Sequence, residues 1–162
     1  MREASRGLLL FFVLLLALSG CGGEKARKEE EGSPLLWSSY EEGLKRARET
    51  GRPLMLVFTS PHCRFCHYLE EITLTDSGVV QMLNEHFVSV KVDVSDNWEL
   101  ARKYMVSSFP TVWFLSSEGE RIGMVLGYRS PEFFKEVLRY IGSGSYKEME
   151  FEEWVHRRRA SR

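Results

Sequence analysis

The sequence predicts an α/β domain: one mixed β-sheet with helices covering both faces. Three observations carry this. Leu54-Met55-Leu56-Val57-Phe58 is a continuous apolar run of strand length, the pattern of a central strand covered on both sides. Phe87 to Val94 is a second such run, alternating in its C-terminal half, which predicts another buried strand. Thr111 to Leu115 and Arg121 to Leu126 flank the turn Ser117-Glu118-Gly119-Glu120 and predict a hairpin. Helix signals fall before, between and after these runs. The order is helix, strand, helix, strand, helix, hairpin, helix, which layers helices on both sides of a sheet.

The chain has 162 residues, 43% of them apolar, enough to bury one core. Lysine plus arginine number 22 against 23 acidic residues, so there is neither the basic excess of a nucleic-acid binder nor the acidic excess of a disordered chain. The N-terminus reads as an export signal. Arg2 and Arg6 supply its positive start, and Leu8 to Leu18 is an apolar run of 11 residues. That is too short to span a bilayer, which needs roughly 20 residues. The run ends in Leu18-Ser19-Gly20-Cys21, which resembles the bacterial lipobox, where the chain is cut before the cysteine and the thiol is converted to a thioether-linked diacylglycerol. Residues 1–20 are therefore expected to be a lipoprotein signal, and Cys21 the lipid attachment point on a bacterial membrane. Residues 21–34 hold almost no apolar side chain and are expected to form a solvated tether.

The folded region begins after the tether, with a short strand expected around Leu35 to Trp37. A helix starts at Ser38 or Ser39, with Glu41 and Glu42 in its first turn, a face of Tyr40, Leu44 and Ala47, and a stop near Gly51. The Leu54 to Phe58 strand delivers the chain to Ser60-Pro61-His62-Cys63-Arg64-Phe65-Cys66-His67, which opens a helix burying Cys66, Leu69 and Thr73 or Ile72. Thr75-Asp76-Ser77 breaks that helix and caps another, carrying Val79, Val80 and Leu83. Beyond the second strand, Trp98, Leu100, Ala101 and Tyr104 predict a short helix. Ser130-Pro131-Glu132 is a strong helix start, with Phe133, Phe134, Val137, Leu138 and Ile141 as its buried stripe. Residues 35–142 thus make up the expected domain. Gly142-Ser143-Gly144-Ser145 loosens the chain before a helical extension over residues 143–162, with Met149, Phe151, Trp154 and Val155 at helical spacing and the basic end His156-Arg157-Arg158-Arg159.

The chemistry concentrates in the Cys63 motif. With Cys21 assigned to lipid, Cys63 and Cys66 remain as an isolated pair. A disulfide across so small a loop adds little to stability, which favours a chemical role over a structural one in an exported protein. Taken alone, Cys63-Arg64-Phe65-Cys66-His67 fits three chemistries: a redox dithiol, a c-type haem attachment with Met82, Met105 or Met124 as sixth ligand, or a metal site using His62, His67 or His86.

The surrounding residues narrow this choice. The strand Pro53 to Phe58, the Cys63-Arg64-Phe65-Cys66 helix start, Val90-Lys91-Val92-Asp93, and Phe109-Pro110-Thr111 leading into Val112-Trp113-Phe114 together resemble thioredoxin-like proteins from about Trp37 to Ile141. Among these the chain is most similar to exported members and to the periplasmic C-terminal domain of the thiol:disulfide interchange protein. The resemblance implies a thioredoxin-like fold and a thiol:disulfide oxidoreductase with Cys63 as nucleophile, Cys66 as resolving thiol and a cis-Pro110 beside the disulfide. The acid that the family usually buries in the preceding strand, six residues before the first cysteine, would fall at Val57 and is missing here. Glu70 matches an acidic position of the interchange domain and is the candidate proton acceptor, while His62 departs from the usual aromatic residue before the first cysteine. A helix N-terminus favours a thiolate, and Arg64 and a protonated His62 would act in the same direction. His62, Arg64, Phe65 and Phe109 are candidate docking residues for an extended protein substrate.

The expected function is exchange of disulfides with exported proteins at the periplasmic or outer face of a membrane, with reduction favoured by the membrane attachment. The expected partners are exported thiols or disulfides and a membrane or periplasmic redox protein. The chain is expected to act as a monomer with no cofactor, metal ion or nucleic acid. A c-type cytochrome and a redox-inactive binding module on the same fold are the alternatives.

Overall fold

The structure, a computed structural model, describes residues 34–161. The expected signal segment, Cys21 and all but the last residue of the expected tether lie outside the described residues. Five strands form one mixed sheet in the order β1-β3-β2-β4-β5: β1 (Trp37–Ser38), β2 (Leu54–Thr59), β3 (Val88–Asp93), β4 (Thr111–Leu115) and β5 (Arg121–Leu126). β1 and β2 run parallel to β3, whereas β4 is antiparallel to β2 and β5 antiparallel to β4.

All six residues of β2 are buried, as the central strand of a doubly covered sheet requires. Its alternation divides the core. Leu54, Leu56 and Phe58 pack with Val90, Trp113 and Ala47 on one face, while Met55 and Val57 pack with Leu69, Leu83, Phe114 and Phe134 on the other. Helices α1 (Tyr40–Thr50) and α4 (Trp98–Lys103) cover the first face; α2 (Arg64–Tyr68), α3 (Ser77–His86) and α5 (Pro131–Gly142) cover the second.

The helix starts follow their sequence signals. Ser39 Oγ accepts the Glu42 amide, Asp76 Oδ1 the Val79 amide and Ser130 Oγ the Phe133 amide, each satisfying an N–H that the first turn leaves without a partner. Gly51 ends α1 at φ 67°, a conformation in which a side chain is disfavoured.

Three details depart from the sequence reading. The helix after Cys63 widens into a π-helical turn at Leu69–Thr73, which buries Thr73 and leaves Ile72 48% exposed. The short helix expected to carry Trp98, Leu100, Ala101 and Tyr104 ends at Lys103; it anchors through Ala101 and the following Tyr104, while Trp98 is 57% exposed. The C-terminal extension forms a 3-10 turn at Ser145–Lys147 and then α6 (Phe151–Ala160), so Met149 precedes the helix. α6 packs on α5 through Phe151 against Phe133 and Tyr140, and Tyr140 Oη donates to the Met149 carbonyl at 2.7 Å. Among the described residues no helix is long and apolar enough to cross a membrane.

Candidate functional site

The site lies where β2 ends. The Val94 amide donates to the Thr59 carbonyl, and a tight turn closes with the Cys63 amide on the Ser60 carbonyl at 3.1 Å. Cys63 (φ −93°, ψ 104°) is the non-helical residue that caps α2. Its Sγ accepts the Cys66 amide at 3.1 Å, and its carbonyl accepts the same amide at 3.0 Å and that of His67 at 3.3 Å. The spacing of two intervening residues thus brings both sulfurs to one side of the first turn, where they are joined as a disulfide with Cα atoms 5.2 Å apart. Cys63 is half-buried, whereas Cys66 is only 1% exposed.

Strand register brings the second part of the site to the same end of the sheet. Thr111 lies opposite Phe58, so the preceding Pro110 is level with the last residue of β2. The Phe109–Pro110 bond is cis, and Pro110 is buried. Its carbonyl accepts the Gly127 amide at 2.8 Å, which draws the loop after β5 to the site.

The charged candidates take different places. Val57 is flanked in register by Lys91 on β3 and Val112 on β4, so Lys91 shares its face. Lys91 Nζ lies 3.3 Å from Glu70 Oε2 and 5.6 Å from the centroid of the Trp37 ring. Glu70 is therefore an ion-pair partner one turn beyond Cys66. Arg64 is engaged elsewhere: its Nε donates to Tyr68 Oη at 2.7 Å, and its guanidinium sits 5.2 Å over the Tyr68 ring. His62 is exposed. So is His67, the residue that completes the haem-attachment pattern, and its Nε2 is 3.2 Å from the Pro61 carbonyl. Phe65 is 57% exposed, and Phe109 is partly buried against the core on the α1 and α4 side.

The sequence assigned no site role to Tyr68, Tyr128, Lys91 or Thr73. Phe65, Tyr68 and Tyr128 form an edge-to-face row with centroids 6.1 Å apart at each step. Thr73 Oγ1 donates to the Arg129 carbonyl at 2.5 Å, fastening the loop that carries Tyr128. Only the aromatic spacing Phe65 to Tyr68, neighbours on a helix surface, was visible in the sequence; Tyr128 arrives from another element.

A cysteine pair at a helix start, fed by a buried central strand and with a cis-proline at the same end of the mixed sheet, defines a thiol:disulfide oxidoreductase of thioredoxin-like architecture. The model of the thioredoxin-like domain family matches residues 40–142, and the chain belongs to that family. It is 27% identical over 129 residues to the disulfide bond reductase DsbH of Chlamydia pneumoniae, covering 67% of this chain and 78% of that protein. It is 29% identical over 106 residues to the thiol:disulfide interchange protein DsbD of Ralstonia nicotianae, covering 63% of this chain but only 17% of that much longer protein. Among solved structures, a thioredoxin from Thermus thermophilus superposes with a TM-score of 0.62 at 34% identity, over 67% of this chain and 88% of that one. A putative disulphide-isomerase from Bacteroides thetaiotaomicron superposes with a TM-score of 0.58 at 32% identity, over 74% and 97%.

Proposed function

We propose that the chain is a lipid-anchored, exported thiol:disulfide oxidoreductase that reduces disulfides of exported proteins through Cys63 and Cys66. The observation that carries this reading is the asymmetry of the pair. Cys63 is half-buried and its sulfur accepts an amide hydrogen bond, while Cys66 is 1% exposed. Hydrogen bonds donated to sulfur stabilise its anionic form, and the thiolate is the attacking species.

In the reduced protein, Cys63 thiolate attacks one sulfur of a substrate disulfide. The substrate S–S bond breaks, a Cys63–substrate disulfide forms, and the displaced thiolate takes up a proton. Cys66 gives up its proton and attacks Cys63 Sγ, releasing the second substrate thiol and leaving the Cys63–Cys66 disulfide. Two electrons have passed to the substrate, and a dithiol partner must return them. Glu70 is the proposed acceptor of the Cys66 proton, with Pro110 facing the pair and His62, Arg64, Phe65 and Phe109 around it as substrate-docking residues. Similarity to a disulfide bond reductase and to an interchange protein supports the reducing direction. The lipobox-like segment ending at Cys21 supports the anchor, and residues 35–142 and 143–162 are the proposed domain and extension.

The test is an equilibrium titration of the full-length protein in detergent against glutathione, with free thiols alkylated and counted by mass. A two-electron transition lost in Cys63→Ser is expected. Absence of a Cys63–Cys66 disulfide across the accessible range overturns the reading. The anchor is tested separately by incorporation of labelled fatty acid, expected in the native sequence and lost in Cys21→Ser.

A further inference from the structure

We propose that Tyr68 and Tyr128, together with Phe65, form a side-chain subsite that selects an aromatic or bulky aliphatic residue next to the reacting cysteine of a polypeptide substrate. This rests on the exchange reading above and adds a substrate class to it. Phe65 and Tyr68 meet at 75° and Tyr68 and Tyr128 at 72°, so three rings from two separate elements make one unbroken row. Edge-to-face rows present faces and edges to which a further ring or branched aliphatic chain adds in the same manner.

The row is fixed in place. The loop bearing Tyr128 is held on one side by the Gly127 amide on Pro110 and on the other by Thr73 Oγ1 on the Arg129 carbonyl. Tyr68 is held by Arg64, which satisfies its hydroxyl and covers its ring. Rigid aromatic groups bind with little loss of conformational freedom.

The occupant follows from the chemistry. Exchange requires a covalent bond between Cys63 and the substrate, so the residues flanking the substrate cysteine must lie against the surface around Cys63. Phe65, two positions along the chain and 57% exposed, begins the row there. Tyr68 and Tyr128 continue it, Tyr128 on the loop that the Gly127 amide ties to Pro110.

The experiment uses full-length protein in detergent, reduced with dithiothreitol and desalted, and hexapeptides Gly-Ser-Xaa-Cys-Ser-Gly whose cysteine is a mixed disulfide with thionitrobenzoate. Xaa is Phe, Leu or Ala. Attack by Cys63 on the peptide sulfur releases coloured thionitrobenzoate, and Cys66 then frees the peptide thiol. In this single turnover the Phe and Leu peptides are expected to react about three- to tenfold faster than the Ala peptide at low peptide concentration, through the half-saturating concentration rather than the limiting rate. Tyr68→Ala with Tyr128→Ala is expected to bring the ratio to about one, and Tyr68→Phe, which keeps the ring, to preserve it. The ratio is taken within each protein, so a general loss of reactivity cancels. A ratio near one in the native protein, or a ratio unchanged in the double variant, overturns the subsite while leaving exchange intact. Release of thionitrobenzoate from none of the peptides overturns the exchange reading and the subsite together.

Discussion

At the scale of single residues, burial sets the two sulfurs apart. Cys66 sits under the first turn at 1% exposure while Cys63 retains access to solvent, so an incoming protein meets Cys63 first. Cys66→Ala is therefore expected to accumulate a stable Cys63–substrate disulfide, visible as a reducible adduct by mass, and Cys63→Ala to give none. Glu70 is the second residue whose role can be separated by measurement. Its carboxylate sits on Lys91 beside Val57, a position where no side chain can accept a proton. Glu70→Gln is expected to slow release of the mixed disulfide about tenfold or more near neutral pH. Stopped-flow rates that match the native protein from pH 6 to 9 would reduce Glu70 to a partner of Lys91. The sequence displayed the cysteines, Pro110 and Glu70, yet it gave no sign that Arg64 would be engaged by Tyr68 or that Lys91 would face Glu70. The first pairing lies four residues apart on one helix, a spacing at which contact is allowed but not dictated; the second joins two elements and is set by strand register.

At the scale of elements, α3 shows a cap reinforced by a tertiary contact. Burial of Asp76 pushes its carboxyl pKa up, but the Val79 amide, the Lys135 ammonium at 3.2 Å and the Gly78 amide outweigh it and hold the group below its ordinary value of 3.8. A depressed carboxylate contributes stability that is fully present above the unfolded-state value and is lost as pH falls through the folded-state value. Asp76→Ala is expected to cost about 1 kcal/mol at pH 7. In urea titrations the difference from the native protein should shrink as pH falls below the ordinary carboxylate value; a gap that persists undiminished there would contradict this account. α1 carries a different constraint. A Cβ at Gly43 would run into Val90 Cγ2 and come within 3.2 Å of Leu54 Cδ1, both in the buried core. Gly43→Ala gains about 1 kcal/mol of helix propensity but overpacks a close helix–sheet contact at a cost of about 1–3 kcal/mol. A net loss of stability of about 1 kcal/mol is expected, where an exposed helix glycine would show a gain. The π-helical turn belongs to this scale too: apolar periodicity allowed either Thr73 or Ile72 inside, and the bond from Thr73 to Arg129 accompanies the choice.

At the scale of the molecule, the family match ends at residue 142, but the structure continues into α6, which covers part of α5. Burial raises the Tyr140 hydroxyl pKa, with the Glu150 and Glu152 carboxylates adding to it, and that hydroxyl donates to Met149. Ending the chain after Lys147 removes these contacts but none of the five strands. Such a protein is expected to remain folded and competent in disulfide exchange, with stability lower by about 2 kcal/mol in urea titration. Loss of all cooperative unfolding would show instead that α6 is indispensable to the core. The sequence by itself determined the α/β class, the order of its elements and the position of the Cys-x-x-Cys pair after a buried strand. These are local properties, written in apolar period, capping residues and residue spacing. Only the tertiary structure decided the order of the strands beyond the β4–β5 hairpin, that Tyr128 joins Tyr68, and that Lys91 meets Glu70. The reason is physical: these contacts join residues tens of positions apart, and they are fixed by strand register and by the packing of two helical layers, which no local pattern encodes.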